Sequence, residues 1–376
     1  MVVKQLKDDN FLLKCATPDQ AKCPQFSCGS IQIPLYCFAS QSLDDSGPFG
    51  RFSCIPDDEP STLESLLLAQ WEDRMWKGIY RYDVTTSEIK IIGGRRKFLA
   101  QLNEEWNMDH LSDPDENEVC WRGDSFIFNW VKHHEELLFC VASGEKAIPE
   151  LIPTAPVPNA SILVLSNVTP VEYGHVFLVP HGFTGISQFM DARSLEMVTR
   201  VAMEVNNRSF RVFYDCSMPS ASLYFQACYF SNPLPVEVMP VVTLWDNGLG
   251  GTRICSLIDY PIKALLFESK SNLKVSVEVL AEICSCLQGK NIPYSFLISD
   301  CGKRIFLFPQ QMRTSTNSHA LSSWECSGHF VFKSRNDFDQ VTEEAMLKRM
   351  ATVSLDEPGF QVVKQLCCSI ASKLAS

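Results

Sequence analysis

Histidine is scarce in this chain, with seven in 376 residues. Chemistry that needs clustered imidazoles therefore has few places to sit. Positive charge is also short: 33 Lys and Arg stand against 44 Asp and Glu, a formal net of -11. A basic nucleic-acid face is not expected from such a balance. No apolar run reaches the roughly 18 residues of a membrane helix, so no membrane span is expected. The opening MVVKQLKDDNFLLKCATPDQ has no apolar core of the secretory type. The 16 cysteines fall below the density of a disulfide scaffold. Reduced thiols and a cytoplasmic location follow as expectations. Asn159, Asn167 and Asn207 then carry no glycan. Arg95-Arg96-Lys97 is too short for a nuclear signal, and nuclear presence stays open.

What is present is ordinary globular material, 45% hydrophobic and 20% charged. Residues 1–60 are rich in Cys, Pro, Ser and Asp and read as a loop-rich extension with one short strand at Ile31–Cys37. Cys15, Cys23 and Cys28 lack the paired C-x-x-C knuckles of a zinc site. Cys284 and Cys286, two apart on an expected helix, do not share a face. No metal and no cofactor are expected. Ser61 to Met75 is the clearest helix, with Ser61 as N-cap and Glu64 three residues on. Strands are expected at Ile79–Val84, Ile89–Ile92, Lys97–Leu102, Phe126–Val131, Leu137–Val141, Ser161–Ser166, Val176–Val179 and Ser222–Phe230. Pro170 and Gly174 punctuate the turn before Val176. A helix follows at Ser194–Asn206. Trp245 to Gly251 reads as a turn, without the Lys-Ser/Thr of a phosphate-binding loop.

The last third alternates again. Strands are expected at Ala264–Phe267, Tyr294–Ser299, Arg304–Phe308 and His329–Lys333. Helices are expected at Asn272–Gln288, Glu343–Met350 and Gly359–Ala375, and residues 311–323 as a polar loop. The fold class is α+β, built on largely antiparallel sheets with packed helices. The expected division is 1–60, a half carrying the site at 61–240, a second sheet-bearing half at 241–345, and C-terminal helices at 346–376.

One string carries more than periodicity. Asn167-Val-Thr-Pro-Val-Glu-Tyr-Gly-His-Val-Phe-Leu-Val-Pro180 resembles the strand–turn–strand of the histidine-triad superfamily. Further strings resemble the plant GDP-L-galactose phosphorylase family. They are Leu66–Met75, Gly78–Asp83, Phe98–Glu104, Glu135–Phe139, Tyr260–Phe267, Asn291–Gly302, Ile305–Gln310 and Ser327–Phe332. The resemblance implies a histidine-triad-like fold and the phosphorolysis of GDP-L-galactose to L-galactose 1-phosphate and GDP, a step of ascorbate synthesis. It also implies metal-independent chemistry, GDP-hexose and phosphate as ligands, and allows a homodimer. The implied mechanism is two-step. A His attacks the α-phosphorus, and phosphate then takes the GMP unit.

The family's active strand reads His-x-His-x-Gln, three side chains on one face of a strand. This sequence reads Ser222-Leu-Tyr224-Phe-Gln226. Gln226 keeps its place; Tyr224 stands at the nucleophile position and Ser222 at the first His. The preceding segment is shorter than the family's, with Asp215 and Cys216 where Asn and Ser are expected at the nucleotide. Met218-Pro219 replaces a glycine-rich turn and removes a backbone donor. A mis-joined segment at 211–221 would give the same departure. A phenol of pKa near ~10 is almost wholly protonated at neutral pH, and loss of an essential nucleophile costs on the order of 10⁶ in rate. An impaired relative that binds GDP-sugars is expected, against an active nucleotidyltransferase with an unconventional nucleophile.

Among the other candidates, His175 and His329 read as structural. Within His133-His134-Glu135-Glu136 only alternate residues share a strand face. Cys228 reads as a buried thiol on the active face, and Glu72-Asp73-Arg74 as a surface ion pair. Gln101 and Asn103 share a strand face that could meet substrate.

Overall fold

The computed structural model describes residues 32–40, 59–105, 136–182, 190–216, 223–248, 251–269, 273–311 and 321–375. The expected strand at 126–131, Cys15, Cys23, Cys28, His133, His134, Glu135 and Ser222 lie outside these residues.

The first strand, β1 (Gln32–Phe38), is followed by helix α1 (Thr62–Trp76). The Ser61 side chain accepts from the Glu64 amide and caps that helix. Two short strands follow, β2 (Glu88–Ile91) and β3 (Leu99–Leu102). Next come β4 (Leu137–Ser143), β5 (Glu150–Pro156), β6 (Ser161–Ser166) and β7 (Tyr173–His181). Helix α2 (Ala192–Val205) is capped by Asp191 and stopped by Asn206 in the left-handed region at φ 52°. The central pair is β8 (Phe210–Cys216) and β9 (Phe225–Tyr229).

The second half holds β10 (Val241–Asp246), β11 (Thr252–Leu257), β12 (Leu265–Ser269), helix α3 (Leu273–Gly289), β13 (Tyr294–Ser299) and β14 (Arg304–Pro309). It closes with α4 (Ser323–Cys326), β15 (His329–Phe332), α5 (Arg335–Gln340), α6 (Glu343–Ala351) and α7 (Glu357–Ala375).

Twelve strands form one sheet in the order β10-β11-β12-β14-β13-β8-β9-β7-β6-β4-β1-β5. The two halves join through the antiparallel pair β8–β13, Tyr294 opposite Cys216 and Ile298 opposite Val212. Among the described residues, only β1–β4 runs parallel within this sheet. Three more strands make a small sheet, β15-β3-β2. Helices α1, α2, α3 and α7 bury their apolar stripes on one face of the large sheet, in a core with Trp71, Phe225, Phe296 and Phe360. The small sheet packs on the opposite face, around Phe98, Phe213, Phe230 and Trp324. This is the α+β architecture with largely antiparallel sheets that the alternation of strands and helices implies.

Ile79–Val84 is not a strand. Gly78, at φ +69°, turns the chain out of α1. Tyr80 donates to the Trp71 carbonyl and Tyr82 to the Pro170 carbonyl. Asp83 then caps a short 3₁₀ turn at Val84–Thr86. The β-favouring residues there serve as inward anchors; Arg81 N–H donates to the Val168 carbonyl at 3.0 Å, but this bond is not continued into a ladder. Ser222–Phe230 shortens to Phe225–Tyr229. Strands β5, β8, β10 and β11 and helices α4 and α5 lie where no element was expected. Ser322, near the end of the expected polar loop, and Glu325, beyond it, make a reciprocal capping box at the start of α4.

Candidate functional site

Gln226 sits at the centre of the large sheet. It faces Phe177 of β7 on one side and Phe213 of β8 on the other. Leu223 and Phe225 pack into the helix-covered core. Tyr224 and Gln226 therefore share the opposite face, as the strand period requires. The edge of the Tyr224 ring meets Phe177 at a centroid distance of 5.7 Å.

The Gln226 amide is oriented from behind. The Val171 backbone N–H donates to His175 Nδ1 at 2.9 Å. A backbone N–H has only one role, so Nδ1 must be the unprotonated nitrogen. His175 Nε2 then carries the proton and donates to Gln226 Oε1 at 3.0 Å. The amide carbonyl is consumed, and the Gln226 N–H donors are left to face whatever lies over the sheet. Burial holds the His175 pKa down at about 4, so the ring stays neutral at physiological pH.

The turn that places His175 is itself braced. Gly174 has φ +67°, and a Cβ there would come within 2.6 Å of the Tyr229 ring. The indole of Trp71 donates to the His175 carbonyl at 3.3 Å, and its ring packs on Tyr80 and Tyr173. Tyr173 also donates to Glu72, so Glu72 braces the turn. Asp73 pairs with Arg74 and Lys77. Gln101 is fully buried with both amide ends used: Nε2 donates to the Val171 carbonyl, and Oε1 accepts from His329 Nε2, each at 2.7 Å. His329 is buried too, with a pKa pushed down to about 3. Neither His175 nor His329 offers an accessible lone pair.

The remaining sequence candidates divide by face. Asp215 lies on the face of Phe213 and Gln226, but its carboxylate accepts from the Ser323 amide at 2.7 Å and the Ser323 hydroxyl at 3.2 Å. It anchors the start of α4, whose Trp324 packs edge-on to Phe213 and His175. Burial raises its pKa to about 7, against the pull of the Ser323 hydrogen bonds. Cys216, next along β8, points the other way and packs against the helix-covered core. The structure does not bring it to Gln226. Cys228 is fully buried, and burial holds its thiol protonated. Burial, followed by the Asp215 charge, raises the Tyr224 pKa, so Tyr224 stays a phenol.

The comparisons with known proteins fall on this same framework. A GDPGP1-like N-terminal domain matches residues 62–228, and a GDPGP1-like C-terminal domain matches residues 235–374. The chain belongs to the GDPGP1-like family. Gln226 lies near the end of the first matched region, two residues after Tyr224.

GDP-L-galactose phosphorylase 1 of Arabidopsis thaliana is 36% identical over 356 residues, 89% of this chain and 79% of that protein. GDP-D-glucose phosphorylase 1 of Homo sapiens is 26% identical over 318 residues, 77% of this chain and 79% of that protein. Among solved structures, yeast Ap4A phosphorylase Apa2 superposes with a TM-score of 0.51 at 14% identity, covering 78% of this chain and 95% of that one. The fold is thus the histidine-triad-like fold that the Asn167–Pro180 string resembles. The hydrogen-bonded backing of Gln226 through Val171 escaped sequence reading. It joins the Val171–His175 turn to Gln226 of β9, 51 residues further along the chain.

Proposed function

We propose that this member of the family binds a GDP-hexose and inorganic phosphate on the Tyr224–Gln226 face. The reaction inherited from its relatives is GDP-L-galactose plus phosphate to L-galactose 1-phosphate plus GDP, in ascorbate biosynthesis. The orientation of Gln226 carries the binding half of this reading. Its free amide donors suit phosphate oxygens, and no rearrangement is needed to present them.

Turnover through the inherited route is lost. The nucleophile position holds Tyr224, a phenol kept protonated by burial and by Asp215. The two buried histidines nearby have their relevant nitrogens committed or enclosed. The same observation weighs against Tyr224 as an unconventional nucleophile, which needs a cation to draw off its proton.

The test is purified protein with GDP-L-galactose or GDP-D-glucose and phosphate, followed by GDP release, beside calorimetric titration with GDP. Binding is expected, with turnover orders of magnitude below that of a His-bearing relative. Comparable turnover would defeat the reading.

A further inference from the structure

Gln101 and Asn103 share one face of the strand that β3 begins. Gln101 has both ends of its amide engaged, by Val171 and His329. Asn103 does not. Its backbone N–H donates to the Phe332 carbonyl at 2.9 Å, which carries the small sheet one residue past Leu102. Its side chain is enclosed, the residue being 6% exposed, yet Nδ2 has no hydrogen-bond partner. Tyr82 stands beside it. Burial raises the Tyr82 pKa, and the neighbouring Asn103 amide opposes the rise. The Tyr82 hydroxyl already donates to the Pro170 carbonyl. An amide nitrogen carries two hydrogens, so contact with the Tyr82 oxygen would use one and leave the other. A buried donor left over in this way costs stability, and such a group calls for an explanation.

Asn103 opens onto a cavity of about 200 Å³. Tyr82, Leu102 and Asn103, all buried, make its floor. Glu88, Glu104, Glu105 and Arg335, all exposed, make its walls. Arg335 is held against Glu88 at 2.6 Å. With Asp83 the lining carries four carboxylates against one guanidinium, so an anion is repelled. A bare cation would leave Asn103 without an acceptor. Among the described residues, no group of His, Cys, Asp and Glu is arranged to hold a metal ion. A hydroxyl meets both demands, because its oxygen accepts from Asn103 while its hydrogen goes to a carboxylate. The volume lies below the ~300 Å³ at which sites for drug-sized ligands begin, which suits one small ring and not a nucleotide.

We propose that this cavity is a second ligand site, for a neutral, hydroxyl-rich molecule the size of one monosaccharide. Asn103 donates to a ligand oxygen at the floor, and the wall carboxylates accept from its hydroxyls. The site is separate from the Tyr224–Gln226 face. None of its lining residues belongs to β9, and the buried Gln101 of the same strand face is turned to Val171 and His329 instead. The inference does not depend on the GDP-hexose reading above.

The experiment is saturation-transfer NMR on the full chain, with D-glucose, L-galactose and myo-inositol as probes. Binding of at least one is expected. Asn103→Leu replaces the unpartnered amide with an apolar side chain of similar size. It is expected to keep or raise the melting temperature and to weaken binding at least tenfold. Glu104→Ala changes an exposed wall residue and is expected to weaken binding at least threefold; if Asn103→Leu fails to fold, this variant decides alone. Absence of binding by all three probes, affinity unchanged in the variants, or displacement of the bound probe by magnesium chloride would overturn the site. Displacement by GDP-D-glucose would overturn its separateness, because the cavity would then hold the hexosyl group of a sugar nucleotide.

Discussion

His175 donates from Nε2 to the Gln226 side-chain carbonyl at 3.0 Å, and this one bond settles which end of the amide points away from His175. The direction is inherited from the Val171 N–H, which cannot act as an acceptor. Gln226→Glu should test it. His175 can still donate to the new carboxylate, so the fold should hold. The presented group becomes an anion, and the affinity for GDP should fall by at least tenfold in calorimetry. Unchanged affinity would mean that Gln226 does not meet phosphate.

The peptide between Pro170 and Val171 is gripped at its carbonyl by Tyr82, 2.5 Å away, and at its N–H by His175. Tyr82→Phe removes one hydroxyl and leaves the ring in place. About 1 kcal/mol of stability should be lost in denaturant titration. Affinity for GDP should fall severalfold while affinity for guanosine, which lacks phosphate, stays level. Equal losses for both ligands would show a purely structural hydroxyl.

Tyr224→Phe keeps the edge-on contact with Phe177 and deletes the phenol oxygen. GDP release in the presence of phosphate should change by less than about tenfold, against the order of 10⁶ expected on deleting an essential nucleophile. Collapse of the rate would reinstate Tyr224 as the attacking group.

Asp215 titrates at about 7 in the folded chain, above its ordinary carboxylate value of 3.8. Between those limits the folded state binds the extra proton, so this group makes stability fall as pH rises from about 4 to about 7 and adds no further slope above. Asp215→Asn keeps an acceptor for the Ser323 amide and cannot ionise. Its melting temperature relative to wild type should climb across that window and then level off. A flat difference would show that Asp215 is not desolvated.

Arg211 and Glu237 form a two-contact ion pair, at 3.1 Å and 2.8 Å, with side chains only 6% and 11% exposed. Arg211 also donates to the Ser209 and Phe230 carbonyls. Arg211→Met strands a buried carboxylate and should cost about 3–5 kcal/mol in chemical denaturation. A loss under about 1 kcal/mol would mean that water reaches Glu237.

Much of the scaffold was readable residue by residue. Tyr294–Ser299 and Ser161–Ser166 are continuous apolar runs and became buried strands with the expected bounds. Ser61 announced α1. Local hydrogen bonding and period-two or period-3.6 burial decide such elements, and both are written in adjacent residues. Phe210–Cys216 was not recognised as a strand, because its pairing partners, β13 and β9, are set by the whole sheet. β7 was expected over Val176–Val179 and runs from Tyr173 to His181, because its ladder with β6 continues to Ser161.

The order of residues alone carried the family likeness, the α+β alternation, and the presence of Ser and Tyr rather than His at positions 222 and 224. Tertiary structure decided the rest: that Asp215 turns to Ser323, that Cys216 faces the helices, and that Val171 orients His175 and through it Gln226. Hydrogen-bond direction and the side of a sheet depend on partners up to hundreds of residues away in the chain, and only the folded arrangement brings those partners within 3 Å.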